Sequence, residues 1–441
     1  MNSLGYDPTS PESILQFAKR LTGRTLAEVV DMSGVIENHH HKGDLGSMVE
    51  KFYFRIATNS LSEPDFPESG VELKTTGVKR NSKGEFQAKE RLVLKMIDYV
   101  GLVDEQWESS SLMEKCGLML LLFSLYEVDV AVFNRRFVID PILFTFPEDD
   151  LVQIRLDWLT IKDKIQRGLA HELSEGDTYY LGACRKGSGG EKERLRRQPN
   201  SNVLARSRAF ALKIKYVNKI IEDGALRTGT LGLTGTHGIV DATKAKFEPF
   251  LNRTVDEISA QFNFYKKGTN DKSFFHDLVF RILGSGGRSV PELDKSGVEV
   301  KTIRVNRDWK PFEAMSFPGF KYMDIVAEDW EDSVFHEKLE QKFLFVIFRD
   351  SGDGVLRLEK VGYWNMPYRD REEARRVWEE TKRRVQLDAR DLPKSSESHV
   401  AHVRPKARDS RDTLPTPQGI DLVKKCFWLN REYVFQVVQD L

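Results

Sequence analysis

The sequence predicts an α/β protein made of two tandem copies of one domain, each a mixed β-sheet flanked by α-helices. Two observations carry this. Apolar runs with strand character alternate with stretches of helical periodicity. The second half also repeats the first in order. Arg24-Thr-Leu-Ala-Glu28 returns as Arg253-Thr-Val-Asp-Glu257, and Ser69-Gly-Val-Glu-Leu-Lys-Thr75 as Ser296-Gly-Val-Glu-Val-Lys-Thr302. Trp107-Glu-x-Ser-x-x-x-Glu-Lys115 returns as Trp330-Glu-x-Ser-x-x-x-Glu-Lys338, Lys186 finds a counterpart in Lys406, and Phe210-x-Leu-x-x-x-Tyr216-Val returns as Phe427-x-Leu-x-x-x-Tyr433-Val. The offset falls steadily from 229 at the first match to 217 at the last, as small loop deletions produce. The expected division is a first domain at 1–221, a linker at 222–246, rich in Gly and Thr, and a second domain at 247–441. Two copies of one domain can meet a pseudo-twofold partner as a covalent dimer.

Taken in order, residues 11–32 read as helical, with Thr25 and Glu28 forming a capping box. Asn38-His-His-His41 reads as a polar loop. Leu45, Met48, Val49, Phe52 and Ile56 recur at helical spacing, and Glu50 lies off that stripe, the position of an exposed glutamate. Residues 91–103 and 118–133 read as core strands, with Lys115 just ahead of the second. Helical signal returns from Phe146 to Gly168. Residues 387–412, charged and serine-rich with Pro393, read as a second flexible segment.

Composition narrows the class. The chain has 441 residues, 40% hydrophobic and 30% charged, with no net charge, so whole-chain electrostatics names no partner. Its longest apolar run, Leu118 to Leu125, is too short to span a bilayer. Three scattered cysteines fit a reducing cytoplasm better than a disulfide framework.

The candidate chemistry lies in Glu63-Pro-Asp-Phe-Pro-Glu-Ser-Gly-Val-Glu-Leu-Lys74, where Asp65, Glu72 and Lys74 have the spacing Asp-x6-Glu-x-Lys. Val71 to Thr75 reads as a short strand that places Glu72 and Lys74 on one face. Asp65 returns to meet them from the broken segment ahead of Pro67 and Gly70. Two neighbouring carboxylates repel, and a Mg²⁺ ion with its hard oxygen ligands relieves that repulsion. A lysine beside the attacking water then suits in-line attack on a phosphodiester. On spacing alone a solvated strand with a Glu–Lys pair explains the same residues.

A second pattern favours nucleic acid. From Arg185 to Lys219 there are eleven Lys/Arg and two Asp/Glu, 11 − 2 = +9, in a chain that is otherwise neutral. The run includes Lys186, Arg196 and Arg197, a turn at 187–190, and aromatic Phe210 and Tyr216. A clustered basic face is what phosphate backbones select. Residues 399–431, with Arg404 and Lys406, carry 7 − 3 = +4.

These residues resemble the MutH mismatch-repair endonucleases, and still more closely the two-domain restriction endonucleases of the Sau-three-A-I type. Lys42-Gly-Asp-Leu-Gly-Ser-Met-Val-Glu50, Gly70-Val-Glu-Leu-Lys-Thr75, Lys89-Glu-Arg-Leu-Val-Leu94 and His171-Glu-Leu-Ser-Glu-Gly176 carry the likeness, which covers nearly the whole chain. The resemblance implies two restriction-endonuclease-like domains. It implies Asp65 and Glu72 as metal ligands for Mg²⁺, Lys74 as the catalytic lysine, Glu50 as the helix-borne glutamate and Lys115 as the distal lysine of the active site. Lys186 falls on the DNA-reading lysine, but Cys184 replaces that motif's arginine, Arg185 stands in its proline's place, and Ala211 replaces a tyrosine. Arg404-Pro405-Lys406 keeps the reading motif in the second half.

In the relatives the second half is a DNA-binding effector without catalysis. Here Glu299, Lys301 and Lys338 survive, Glu292 stands where an aspartate would, and the helix-borne glutamate falls on His276 or Asp277. The implied function is a type II restriction endonuclease cutting double-stranded DNA at GATC, acting in the cytoplasm, away from membranes, as a monomeric pseudo-dimer in cis or as a dimer on DNA. A MutH-like repair nickase and a non-cleaving sensor of DNA methylation are the alternatives. Tandem duplication argues against the first, and the complete first-half residue set against the second.

Overall fold

The computed structural model describes residues 4–31, 44–56, 63–186, 195–223, 231, 233, 237–267, 273–312 and 314–441. The loop at 38–41, the turn at 187–190 and much of the stretch read as a linker lie outside the described residues.

The sequence repeat is a structural repeat. In the first half, β1 (Val71–Arg80), β2 (Phe86–Ala88), β4 (Leu118–Leu125) and β5 (Phe137–Thr145) form a sheet in the order β2-β1-β4-β5. β1 runs parallel to β4, and the other pairings are antiparallel. β3 (Leu92–Met96), β6 (Leu181–Arg185) and β9 (Arg208–Leu212) make a small sheet in the order β3-β9-β6, and β7 (Leu195–Gln198) pairs with β8 (Ser201–Arg206) as a two-stranded ribbon.

The second half matches this. β10 (Glu299–Val305), β12 (Lys342–Asp350) and β13 (Leu356–Asn365) form the main sheet, with β10 parallel to β12. β11 (Ser316–Gly319), β17 (Lys425–Leu429) and β14 (Ala401–Pro405) form the small sheet, and β15 (Thr413–Pro415) with β16 (Asp421–Val423) the ribbon. The mixed sheet flanked by helices is as expected.

β4 shows why these strands are central. Met119, Leu121 and Phe123 enter one core, and Leu120 and Leu122 another. The run is apolar throughout because both faces are covered. In β12, Leu344, Val346 and Phe348 likewise alternate with Phe343, Phe345 and Ile347 between two cores.

Those cores also join the halves. One cluster takes Trp158, Tyr180 and Tyr216 from the first half and Leu278, Leu293 and Leu344 from the second. Within the seam Lys295 pairs with Asp150 at 2.5 Å, both side chains at least 95% buried, and Asp150 also accepts the Tyr216 hydroxyl at 2.8 Å. Burial pushes the Asp150 carboxyl up despite the lysine beside it. Gly176 sits so close to the second half that a Cβ there would meet Asn365 Cβ at 2.7 Å and the Glu340 carbonyl at 2.9 Å.

Several expectations change. Only Leu92–Met96 of 91–103 is strand; Tyr99 and Leu102 are buried from a loop and a short 3-10 turn, so their apolar signal comes from packing rather than pairing. The second strand stops at Leu125. The helix read at 146–168 runs from Glu148 to Gln166. In 11–32 a helix at Pro11–Ala18 is followed by a single turn, Leu26–Val29, with the Thr25/Glu28 capping box formed. A helix at Ile239–Phe247 occupies the end of the stretch read as linker and runs one residue into the second domain. Residues 387–412 are built into the second core through Leu392, Val400 and Ala401, so their polar composition marks an exposed face.

Candidate active site

The turn ahead of β1 assembles the site. Phe66 bridges Val71, and Gly70 takes φ 69°, a left-handed conformation that costs glycine little. The chain therefore doubles back, and Asp65 lies in this turn while Glu72 lies on the central strand. Asp65 Oδ2 accepts the Leu73 amide at 2.9 Å, and the Asp65 amide donates to Glu72 Oε2 at 3.1 Å. The two carboxylates expected from spacing are thus brought together.

Both lysines converge on Glu72. Lys74 Nζ lies 2.6 Å from Oε1, and Lys115 Nζ lies 3.3 Å from Oε2 while donating to the Glu63 carbonyl at 2.8 Å. Lys115 reaches the site from the last turn of the helix Ser111–Cys116, which packs against β1. Burial pushes the Glu72 carboxyl up, against the pull of Lys74. Burial penalises the Lys74 ammonium too, but Cys116, then Glu72 and Asp65, outweigh this and hold it above its ordinary value. Lys74 is therefore a cation at neutral pH and acts as a charge and a hydrogen-bond donor.

Glu50 departs from its expected exposure. The helix Asp44–Met48 widens into π-helical turns over Val49–Phe54, and Glu50 is half-buried there. Such widening shifts side-chain phase, which a regular helical period does not register. A Cβ on Gly46 would stand 3.2 Å from Thr75 Oγ1, so a glycine lets this helix approach β1 closely. Burial, then the charges of Asp65 and Glu72, raise the Glu50 carboxyl. Three carboxylates and two ammonium groups share one electrostatic neighbourhood.

Among the described residues no three His, Cys, Asp or Glu side chains form a complete metal-holding group. Mg²⁺ does not need one: it takes one or two carboxylates and fills its octahedron with water and substrate phosphate oxygens. Asp65 and Glu72, with Glu50 in the same electrostatic neighbourhood, fit that pattern.

The expected DNA-contact residues divide. Arg196 and Arg197 are exposed on β7. Arg185, at the end of β6, and Arg206, on β8, meet Glu331 of the second half at 3.3 and 3.4 Å. Arg206 and Glu331 were not singled out from the sequence; their pairing spans 125 residues, and only the fold brings them together. The backbone of Lys186 is fixed by its amide on the Ser207 carbonyl. Two members of the basic run leave the surface: Arg208 donates to the Ala183 and Leu173 carbonyls, and Lys213 to that of Thr178. These buried cations satisfy backbone carbonyls, so the +9 overstates the basic face.

In the second half Arg404 lies over the Trp428 ring, and Lys406 Nζ donates to Ser316 Oγ and the Phe317 carbonyl. Lys301 and Glu299 repeat the 2.6 Å contact of Lys74 and Glu72, and Lys338 lies 3.9 Å from Glu299. Glu292 does not lie on a strand. It is buried on the helix Pro291–Ser296 and accepts the Leu231 amide at 2.6 Å, where Asp65 accepts the amide of Leu73 on β1. Asp277, on the helix Phe274–Ile282, is held by Arg288 and lies below its ordinary value, chiefly through that bond. Sequence reading missed Arg288; its only signal was a cation in a glycine-rich loop.

Comparison with known proteins follows the same outline. The family model for the DNA mismatch repair enzyme MutH matches residues 54–157 and again 284–376, once in each half. The type II restriction enzyme Sau3AI of Staphylococcus aureus is 31% identical over 96% of this chain and 97% of its own. The DNA mismatch repair protein MutH of Shewanella woodyi is 28% identical over 49% of this chain and 93% of its own. That of Escherichia coli O139:H28 is 28% identical over 40% and 75%. MutH-type relatives thus cover about half of this chain, whereas the restriction enzyme is matched nearly end to end. The chain belongs to the MutH/Sau3AI family of site-specific deoxyribonucleases, in its tandem two-domain form.

Proposed function

We propose that this protein is a Mg²⁺-dependent type II restriction endonuclease that cuts both strands of DNA, at GATC, leaving 5′-phosphate ends. In this reading the first half cuts, and the second half binds a second DNA site as an effector. The chain acts as a pseudo-dimer in cis. The observation that carries the reading is the convergence of Asp65, Glu72, Lys74 and Lys115 at the start of β1, with Glu50 alongside.

Asp65 and Glu72 would hold the Mg²⁺, which supplies Lewis-acid stabilisation and a nucleophile at neutral pH. Lys74, protonated beside Glu72, orients the attacking water and balances charge on the phosphate. Lys115 steadies the scissile phosphate as its charge grows, and removing one such donor costs about 10²–10³ in rate. Glu50, whose carboxyl is raised, sits where it can accept a hydrogen bond or proton from water. Arg196 and Arg197 supply backbone contacts, and Lys186 reads a guanine edge.

Incubating supercoiled plasmid with the protein and Mg²⁺, then sequencing the ends, tests activity, site and cut position together. Linear product with unique GATC ends supports the proposal. Nicked circles alone would favour a repair nickase, and intact plasmid a binding protein.

A further inference from the structure

The halves carry matching clusters that differ in charge. In the first, Lys74 and Lys115 face Glu50, Asp65 and Glu72: 2 − 3 = −1. A divalent cation would bring this to +1. In the second, Lys301 and Lys338 meet Glu299, Arg288 meets Asp277, and the two pairs adjoin through His276, on which Arg288 and Lys301 both act: 3 − 2 = +1. His276, held below its ordinary value first by burial and then by Arg288, adds no charge at neutral pH. Counting the buried Glu292 as well gives 3 − 3 = 0, still above the first cluster.

The added cation is placed where it matters. Arg288 grips Asp277 through both Nε and Nη2, and Asp277 sits on a helix packed against β10 much as the helix bearing Glu50 is packed against β1. A guanidinium thus balances the helix carboxylate. The second cluster is also more open: the Glu299 side chain is 38% exposed against 3% for Glu72, and Lys301 34% against 16% for Lys74. Exposure weakens the pull of one carboxylate on a divalent ion, while two lysines beside a bidentate arginine suit a phosphodiester.

We infer that the second cluster is a metal-independent phosphate-binding site for the DNA backbone, in which Arg288 replaces the charge that Mg²⁺ brings to the first. The inference rests on the reading that the second half binds DNA, and it names the site. Lys301 and Lys338 contact phosphate, and Arg288 acts through the charge balance.

The test uses the full chain carrying Glu72→Ala, which prevents cleavage, and a short duplex with one target site. Bound duplexes per chain are counted by calorimetry in EDTA and in Mg²⁺. A second duplex bound in EDTA supports the inference. It should weaken at least about tenfold in Lys301→Ala/Lys338→Ala, equally in both buffers, and recover in Lys301→Arg/Lys338→Arg. The salt slope should fall by about 0.9 for each phosphate that the alanine variant no longer neutralises. If Arg404→Ala/Lys406→Ala removes the second duplex while Lys301→Ala/Lys338→Ala leaves it, the site is wrong and the effector reading stands. The same holds if the second duplex requires Mg²⁺. If no second duplex binds in either buffer, both fall.

Discussion

Lys74 Nζ stands 2.6 Å from Glu72 Oε1, so the metal-free site carries its own cation. The strand pleat delivers this pair, because residues i and i+2 lie on one face. The turn before it delivers Asp65. Asp65 and Glu72 would hold the proposed Mg²⁺, and Lys74, already beside Glu72, would stand next to the water and phosphate that the ion serves.

Glu50 gives a pH-dependent test of this electrostatics. Its carboxyl is raised by burial and by Asp65 and Glu72, so its charged form destabilises the metal-free fold. For a raised carboxyl the penalty is absent below the ordinary carboxylate value and appears as pH rises through the raised one. Glu50→Gln should therefore raise the melting temperature in EDTA at pH 7 to 8, and the gain should vanish near pH 4. Cleavage should fall in the same variant. An equal gain at both pH values would mean that the charge is not the cause.

The basic segment should separate reading from holding. Lys186→Ala should lose discrimination between the target and a one-base variant, by about 1–3 kcal/mol. Arg196→Ala and Arg197→Ala should weaken binding to all sequences alike and lower the salt slope by about 0.9 each. Site preference untouched by Lys186→Ala would remove its reading role.

The seam makes a stability prediction. Lys295→Ala leaves Asp150 buried without its cation, a change that costs about 3–5 kcal/mol in comparable pairs. Because one apolar cluster takes side chains from both halves, urea should unfold them in one transition that shifts as a whole. Two transitions, with only the later residues affected, would show the halves to be energetically separate.

Legibility followed distance along the chain. The first half of the β1 strand, the Thr25/Glu28 cap and the helix at 148–166 come from local rules and were readable from residues alone; β1 runs on to Arg80, past the stretch read as strand. The tandem repeat was readable because it is a comparison of the sequence with itself. Lys115 was not, since nothing in its surroundings says that a helix end points it at a carboxylate 43 residues earlier; only the family resemblance marked it. Glu50 misled because its neighbours Asp65 and Glu72 come from a different segment of the chain, which the period of its own helix does not encode. The seam, with Asp150 meeting Lys295 across 145 residues, and the diversion of Arg208 and Lys213 into the core depend on packing that no local period encodes.

The central claim is that Asp65, Glu72 and Lys74 cut DNA while their second-half counterparts do not. Supercoiled plasmid with Mg²⁺ and the variants Glu72→Ala and Glu299→Ala, side by side, tests it most directly. The account predicts no cleavage by Glu72→Ala, with DNA binding kept within a few-fold, and linear product from Glu299→Ala. Near-normal cutting by Glu72→Ala would remove the proposed active site, and nicked circles from each variant alone would show that both halves cut.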